Sequence, residues 1–143
     1  MKKCDEIRQA GRADLPAVLR LYGQPELDNG AVLTQAAAEA IFTRMECYPD
    51  YRLYVAVSAG QIVGTFALLI MDNLGHMGAP SGLMEDVAVD PACQGQGIGR
   101  EMVEHAIGLC KESITIKRGI GDWPELARTT NNLANIYLEI DDL

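Results

Sequence analysis

The stretch Gln94-Gly95-Gln96-Gly97-Ile98-Gly99-Arg100 has the residue types and spacing best suited to chemistry in this chain. Glycines at a strand-to-helix handover let successive backbone N–H groups turn inward, and a new helix leaves its first amide donors unpaired. The positive end of the helix dipole adds to them, so the segment reads as an anion site for a phosphate or diphosphate. A Walker A loop is excluded, because Gly99 is followed by Arg100 and Glu101 instead of Lys and Ser or Thr. The dinucleotide fingerprint G-x-G-x-x-G fails as well, because Arg100 stands where its last glycine belongs. What remains is Q-x-x-G-x-G.

The elements that must position this loop can be read from periodicity. Ile7 to Ala10 is a short extended segment, and Asp14 and Pro16 read as the cap and first turn of a helix with Leu15, Val18, Leu19 and Tyr22 on one face. Residues 23–30 read as a loop. Thr34 is expected to cap a second helix whose apolar stripe is Ala38, Ile41, Phe42, Met45 and Tyr48. Arg52 to Ser58 and Gln61 to Ile70, joined at Ala59-Gly60, read as an antiparallel hairpin, the second arm apolar on both faces and therefore interior. After a glycine-rich loop, Leu83 to Val89 is a further strand, ended by Asp90-Pro91. The glycine loop then opens a helix with Ile98, Met102, Val103, Ala106, Ile107 and Cys110 on one side. The order β-α-α-β-β-β-α predicts a mixed α/β (α+β) fold around a largely antiparallel twisted sheet, not a doubly wound one.

With 143 residues, 48% of them hydrophobic, the chain has room for one packed domain. Twenty acidic against twelve basic residues leave a net charge of −8, which argues against nucleic acid as a partner. Cys4, Cys47, Cys93 and Cys110 form no C-x-x-C pair and have no histidine at ligand spacing, so free thiols are expected and a metal site is not. The first residues, Met-Lys-Lys-Cys-Asp-Glu, lead into no apolar stretch, and the longest apolar run, Phe66 to Met71, is too short for a bilayer. A cytoplasmic protein without membrane association is the expectation.

Val-Ala-Val-Asp-Pro-Ala-Cys-Gln-Gly-Gln-Gly-Ile-Gly-Arg (87–100) resembles the acetyl-coenzyme A loop of the GNAT superfamily of N-acetyltransferases. Glu85 to Val89 ahead of it is similar to the corresponding strand of glucosamine-6-phosphate N-acetyltransferases and their relatives. The resemblance covers roughly residues 5–112 and implies acetyl-CoA as cosubstrate without a metal. It implies that the backbone of Gln94, Gly95, Gln96, Gly97, Ile98, Gly99 and Arg100 cradles the pyrophosphate. Val87, Ala88 and Val89 would line the pantetheine arm, with the main chain of Val87 and Val89 pairing to its amides. The strand carrying Glu85 and Asp86 would splay from its neighbour, leaving a gap in which that arm lies like an added strand.

Acetyl transfer to an amine needs a neutral amine, and a nearby carboxylate can take its proton. Glu85 and Asp86 point to opposite faces of a regular strand, so only one faces the acceptor; Glu85, on the face of Val87 and Val89, is the expected base. A backbone N–H near Val87 would polarise the thioester oxygen. His76, in the loop before that strand, is a weaker candidate, and His105 is expected to pack on the helix. Arg44, Arg52 or Arg100 could receive an anionic acceptor.

Beyond residue 112 the resemblance weakens, which divides the chain into a core, 1–112, and an atypical or truncated tail, 113–143. Ser113 to Lys117 alternates like a strand, while Leu126, Thr130, Leu133, Ala134, Tyr137 and Leu138 fall on one helical side. The family's fourth helix carries a tyrosine acid, which makes Tyr137 the candidate here. The same segment also resembles the first helix of a tetratricopeptide repeat, which cannot bury its own face. The tail is therefore expected to pack on the core or on a second chain, making a homodimer. The leading expectation is an N-acetyltransferase in which a small-molecule primary amine attacks acetyl-CoA directly in a ternary complex. The alternatives are a catalytically weak acetyl-CoA-binding sensor or regulator, and a protein-interaction scaffold.

Overall fold

A computed structural model describes residues 3–75, 78, 80–118 and 137–138, with side chains up to residue 113. Five strands lie side by side in chain order: β1 (Glu6–Gln9), β2 (Tyr51–Ser58), β3 (Gln61–Met71), β4 (Ser81–Val89) and β5 (Tyr137–Leu138). The first four are mutually antiparallel, and β5 runs parallel to β4. Helices α1 (Leu15–Tyr22), α2 (Pro25–Asp28) and α3 (Gln35–Glu46) lie between β1 and β2 in the chain, and α4 (Ile98–Arg118) follows β4. The expected mixed, largely antiparallel architecture is the one observed.

Each face of the sheet buries its own apolar cluster, because residues alternate across a strand. Tyr54, Ala56, Phe66, Leu68 and Met84 meet Ile98, Met102 and Ala106 of α4 on one side. Leu53, Val55 and Ala67 meet Leu15, Val18, Ala38 and Phe42 on the other. β3 is buried almost throughout, as its two apolar faces require for a central strand. The hairpin closes at Ala59-Gly60, both with φ near that of a primed turn (51° and 72°). Phe66 is fully buried and stacks on Tyr54 with ring centroids 5.1 Å apart. Phe66→Ala should therefore cost about 3–5 kcal/mol, read as a fall in the urea midpoint at unchanged slope.

Four local expectations are corrected. Residues 23–30, read as a loop, contain the short helix α2, with Pro25 at its first position. Asp14 makes no capping bond to α1; its carboxylate instead accepts from the Gly11 amide at 2.7 Å and from both terminal nitrogens of Arg8. Ser113 to Lys117 is not a strand but the last part of α4. An established helix gains one hydrogen bond per added residue, and after Gly108 the sequence offers no glycine or proline before Gly119. Tyr137 and Leu138 are extended rather than helical, aligned with Leu83 and Met84. The unpaired edge of β4 offers them a ladder that a lone amphipathic helix does not. The rest of the proposed tail helix, like His76, lies outside the described residues. Thr34 caps α3 as expected, accepting from the Ala37 amide at 3.2 Å.

Candidate active site

Strand β4 is interrupted where its chemistry is concentrated. Glu85 pairs with Ala67 and Ala88 with Thr65, so Asp86 and Val87 together stand opposite the single residue Phe66. This is a β-bulge, with Asp86 at φ 52° in the left-handed region that Asp tolerates better than most residues. The extra residue resets the alternation. Met84, Val87 and Val89 all pack toward α4, whereas Glu85 shares the opposite face with Ala67. The expectation that Glu85 lies on the face of Val87 and Val89 is thus wrong, because it assumed an unbroken strand.

On the α1–α3 side of the sheet is a cavity of about 620 Å³. Leu15, Val18, Leu19 and Tyr22 of α1 form one wall and Ala38, Ile41, Phe42 and Met45 of α3 another. Tyr51, Leu53 and Ala67 form the sheet floor, and Asp86 enters at the bulge. Of the two β4 carboxylates, Asp86 and not Glu85 lines the cavity. Glu85 Oε1 instead accepts a 2.7 Å hydrogen bond from the hydroxyl of Tyr51. Burial, then that hydrogen bond, holds the Tyr51 phenol above its usual range, so it stays a neutral donor. Burial also raises Tyr22, with the Asp86 charge as a second cause. The two carboxylates therefore belong to one side of the sheet, not to opposite sides. Sequence reasoning weighed Asp86 but missed the bulge, Tyr22 and Tyr51, because a bulge leaves no mark in residue spacing.

The end of β4 is held from three directions. The carbonyl of Val89 accepts from Gln24 Nε2 at 3.0 Å and Gln94 Nε2 at 3.4 Å, and the Asp90 amide donates to Val63 at 2.8 Å. Asp90 also accepts from Arg20 at 2.8 Å and from the Ala92 amide at 3.0 Å, capping the turn Pro91–Cys93. Arg20, then the Ala92 amide, holds the Asp90 carboxyl below the usual carboxylate range. A depressed folded pKa stabilises above the unfolded value, near 3.9, and that contribution is lost as pH falls through the lower folded value. Asp90→Asn keeps the cap but loses the charge paired with Arg20, and should thus cost about 0.5–1 kcal/mol at pH 7. The difference from the parent protein should shrink below about pH 4, as urea titrations at several pH values will show.

The loop that follows has the geometry its glycines suggest. Gly95 and Gly97 have φ of 70° and 89°, and the Glu101 amide bonds to the Gly97 carbonyl at 3.0 Å as the first helical turn closes. The amides of Ile98, Gly99 and Arg100 then precede any intrahelical acceptor. The Ile98 side chain is buried beneath them, which fixes the helix start against the sheet. Of the candidate cations, Arg100 pairs with Glu104 and Arg52 donates to the Tyr48 and Tyr51 carbonyls, whereas Arg44 borders the cavity. His105 packs edge-on against Tyr54 at 6.0 Å. On the outer side of β4, the described pairing with β5 stops at Met84, so Glu85 to Val89 have no strand beside them among the described residues. No helix among the described residues is long and apolar enough to cross a membrane.

Known proteins share this arrangement. The sequence profile of the acetyltransferase (GNAT) family matches residues 16–136. The chain is 30% identical over 117 residues to a glucosamine 6-phosphate N-acetyltransferase of Trypanosoma brucei brucei, covering 76% of this chain and 71% of that protein. A solved structure from Agrobacterium tumefaciens str. C58, provisionally assigned as an acetyltransferase, superposes with TM-score 0.69 at 36% identity, covering 75% of this chain and 74% of that one. The glucosamine-6-phosphate N-acetyltransferase of Arabidopsis thaliana superposes with TM-score 0.67 at 25% identity over 76% of each chain. The family profile spans β2 to β4, the glycine loop and α4, and the chain belongs to the acetyltransferase (GNAT) family, an acyltransferase enzyme.

Proposed function

We propose that the protein is an N-acetyltransferase that uses acetyl-CoA to acetylate a primary amine of a small molecule, by direct attack when both are bound. The observation that carries this reading is the bulge at Asp86, which turns a carboxylate into the cavity while the same strand leads directly into the glycine loop. The residues present fit the coenzyme. The left-handed turns at Gly95 and Gly97, with the free amides of Ile98, Gly99 and Arg100, suit its diphosphate. The outer edge of β4 from Glu85 to Val89 suits an extended amide chain. Because the Val89 carbonyl already accepts from two glutamines and the Ala88 main chain faces β3, the Val87 main chain and the Val89 amide are the better partners.

Acetyl-CoA supplies the activated acetyl group. Asp86, at the cavity wall, attracts the substrate ammonium and takes its proton directly or through water. Glu85 is the supporting carboxylate, fixing the Tyr51 hydroxyl and with it the cavity floor. An amide N–H near Val87 polarises the thioester carbonyl oxygen, a role that the irregular pairing at the bulge supports. Tyr137, whose backbone lies opposite Leu83 at the same sheet edge, remains the proposed proton donor to the leaving sulfur.

Isothermal titration with acetyl-CoA, followed by thiol-release assays over a panel of primary amines, tests the reading. Saturable binding and amine-dependent thiol release are expected. Binding without release for every amine would favour a sensor, and no binding would remove the assignment of the loop.

A further inference from the structure

The cavity beside Asp86 is lined unlike a site for a sugar or a polycation. Its walls are aliphatic and aromatic, and the wall residues Val18 and Phe42 and floor residues Leu53 and Ala67 are core residues. Its mouth is apolar too. Among the described residues seven large hydrophobics are exposed, and four of them border this one cavity. They are Leu27 (40% exposed), Leu33 (50%), Ile41 (36%) and Tyr48 (59%). Exposed apolar residues scattered singly need no explanation, but a cluster around a concave opening marks a surface that meets an apolar ligand.

The charges point the same way. The charged side chains at this cavity are Asp28, Arg44 and Asp86, two negative and one positive. Asp86 stands near Tyr22 and Tyr51 at the sheet, and, like Arg44 and Asp28, it is exposed to solvent. A substrate phosphate would meet one solvated guanidinium and two carboxylates. Buried sugar hydroxyls would face aliphatic walls without partners, which is penalised. An ammonium group at Asp86 followed by an apolar body matches Asp86 and the apolar walls, with Arg44 and Asp28 left to solvent.

Resting on the N-acetyltransferase reading above, we infer that the acceptor is a hydrophobic primary amine, an arylalkyl or alkyl amine whose ammonium meets Asp86 and whose apolar body fills the cavity between α1 and α3. The Leu27, Leu33, Ile41 and Tyr48 rim then covers the outer part of that body. This differs from the sugar-phosphate acceptor in the names of the relatives.

The test measures thiol release at saturating acetyl-CoA with the full chain, comparing phenethylamine and octylamine with glucosamine 6-phosphate and spermidine. The expected result is a kcat/KM at least tenfold higher for the two apolar amines. Ile41→Asp, at an exposed rim position, should raise KM for phenethylamine at least fivefold without changing acetyl-CoA affinity or thermal midpoint. Equal or better turnover of glucosamine 6-phosphate or spermidine would overturn the substrate class and leave the N-acetyltransferase reading standing. An Ile41→Asp variant with unchanged KM would also overturn it. Release with no amine at all, despite acetyl-CoA binding, would overturn both.

Discussion

Gly97→Val raises the dissociation constant for acetyl-CoA roughly 10- to 100-fold, with little change in the folded structure. At φ 89° glycine pays no steric cost, whereas a β-branched residue there costs on the order of 1–3 kcal/mol. The loop can avoid that cost only by rotating Gly97 toward negative φ, which turns the following amides away from their common focus. Each amide or dipole contact to an anion is worth about 0.3–1 kcal/mol, so losing three of them gives the stated range. Gly108→Ala is the matched control. It lies within α4 with open space where a Cβ would go, and should leave binding unchanged while adding up to about 1 kcal/mol of stability. Titration calorimetry reads the first effect and thermal unfolding checks both variants. Undiminished affinity in a folded Gly97→Val protein would remove the diphosphate from this loop.

The two variants separate features that the sequence makes legible from those it conceals. The glycine loop is readable because turn chemistry is local: the left-handed positions at 95 and 97 are glycines for a reason visible in the string itself. The hairpin at Ala59-Gly60 and the Thr34 cap are local in the same sense. The interior placement of β3 follows from apolar residues on both faces. The bulge at Asp86 is different. Whether β4 holds two residues against Phe66 depends on the pairing with β3, some twenty positions earlier in the chain, so strict alternation assigned Glu85 to the wrong face. Asp14 misled for a related reason, since Arg8 across the turn claims its carboxylate. Ser113 to Lys117 shows a third kind of failure, in which two isoleucines at strand spacing are outweighed by the helix already running into them. The cavity was assembled from residues read as core, because a helix face that borders a cavity and one that packs have the same periodicity.

Asp86→Asn lowers kcat/KM for the amine about 10²-fold or more while acetyl-CoA affinity stays within twofold. General-base catalysis by a positioned side chain contributes about 10²–10⁴-fold, and asparagine keeps the size of the side chain while losing its charge and basicity. The substitution also suits the backbone, since asparagine tolerates the left-handed φ of 52° at least as well as aspartate. A loss of activity therefore cannot be assigned to a collapsed bulge. Glu85→Gln is the discriminating partner. Its amide oxygen can still accept from the Tyr51 hydroxyl, so the cavity floor is retained and a fall of less than tenfold is expected. If Glu85→Gln abolishes turnover and Asp86→Asn does not, the roles of the two carboxylates are reversed. The reacting amine would then approach from the Glu85 side of the Tyr51 hydroxyl, and the cavity lined by Asp86 would not be the acceptor site. A parallel loss in both variants would mean that the pair acts through a shared proton network. The Tyr51→Phe protein separates that case, because it breaks the hydrogen bond between the cavity floor and Glu85 and leaves Asp86 in place.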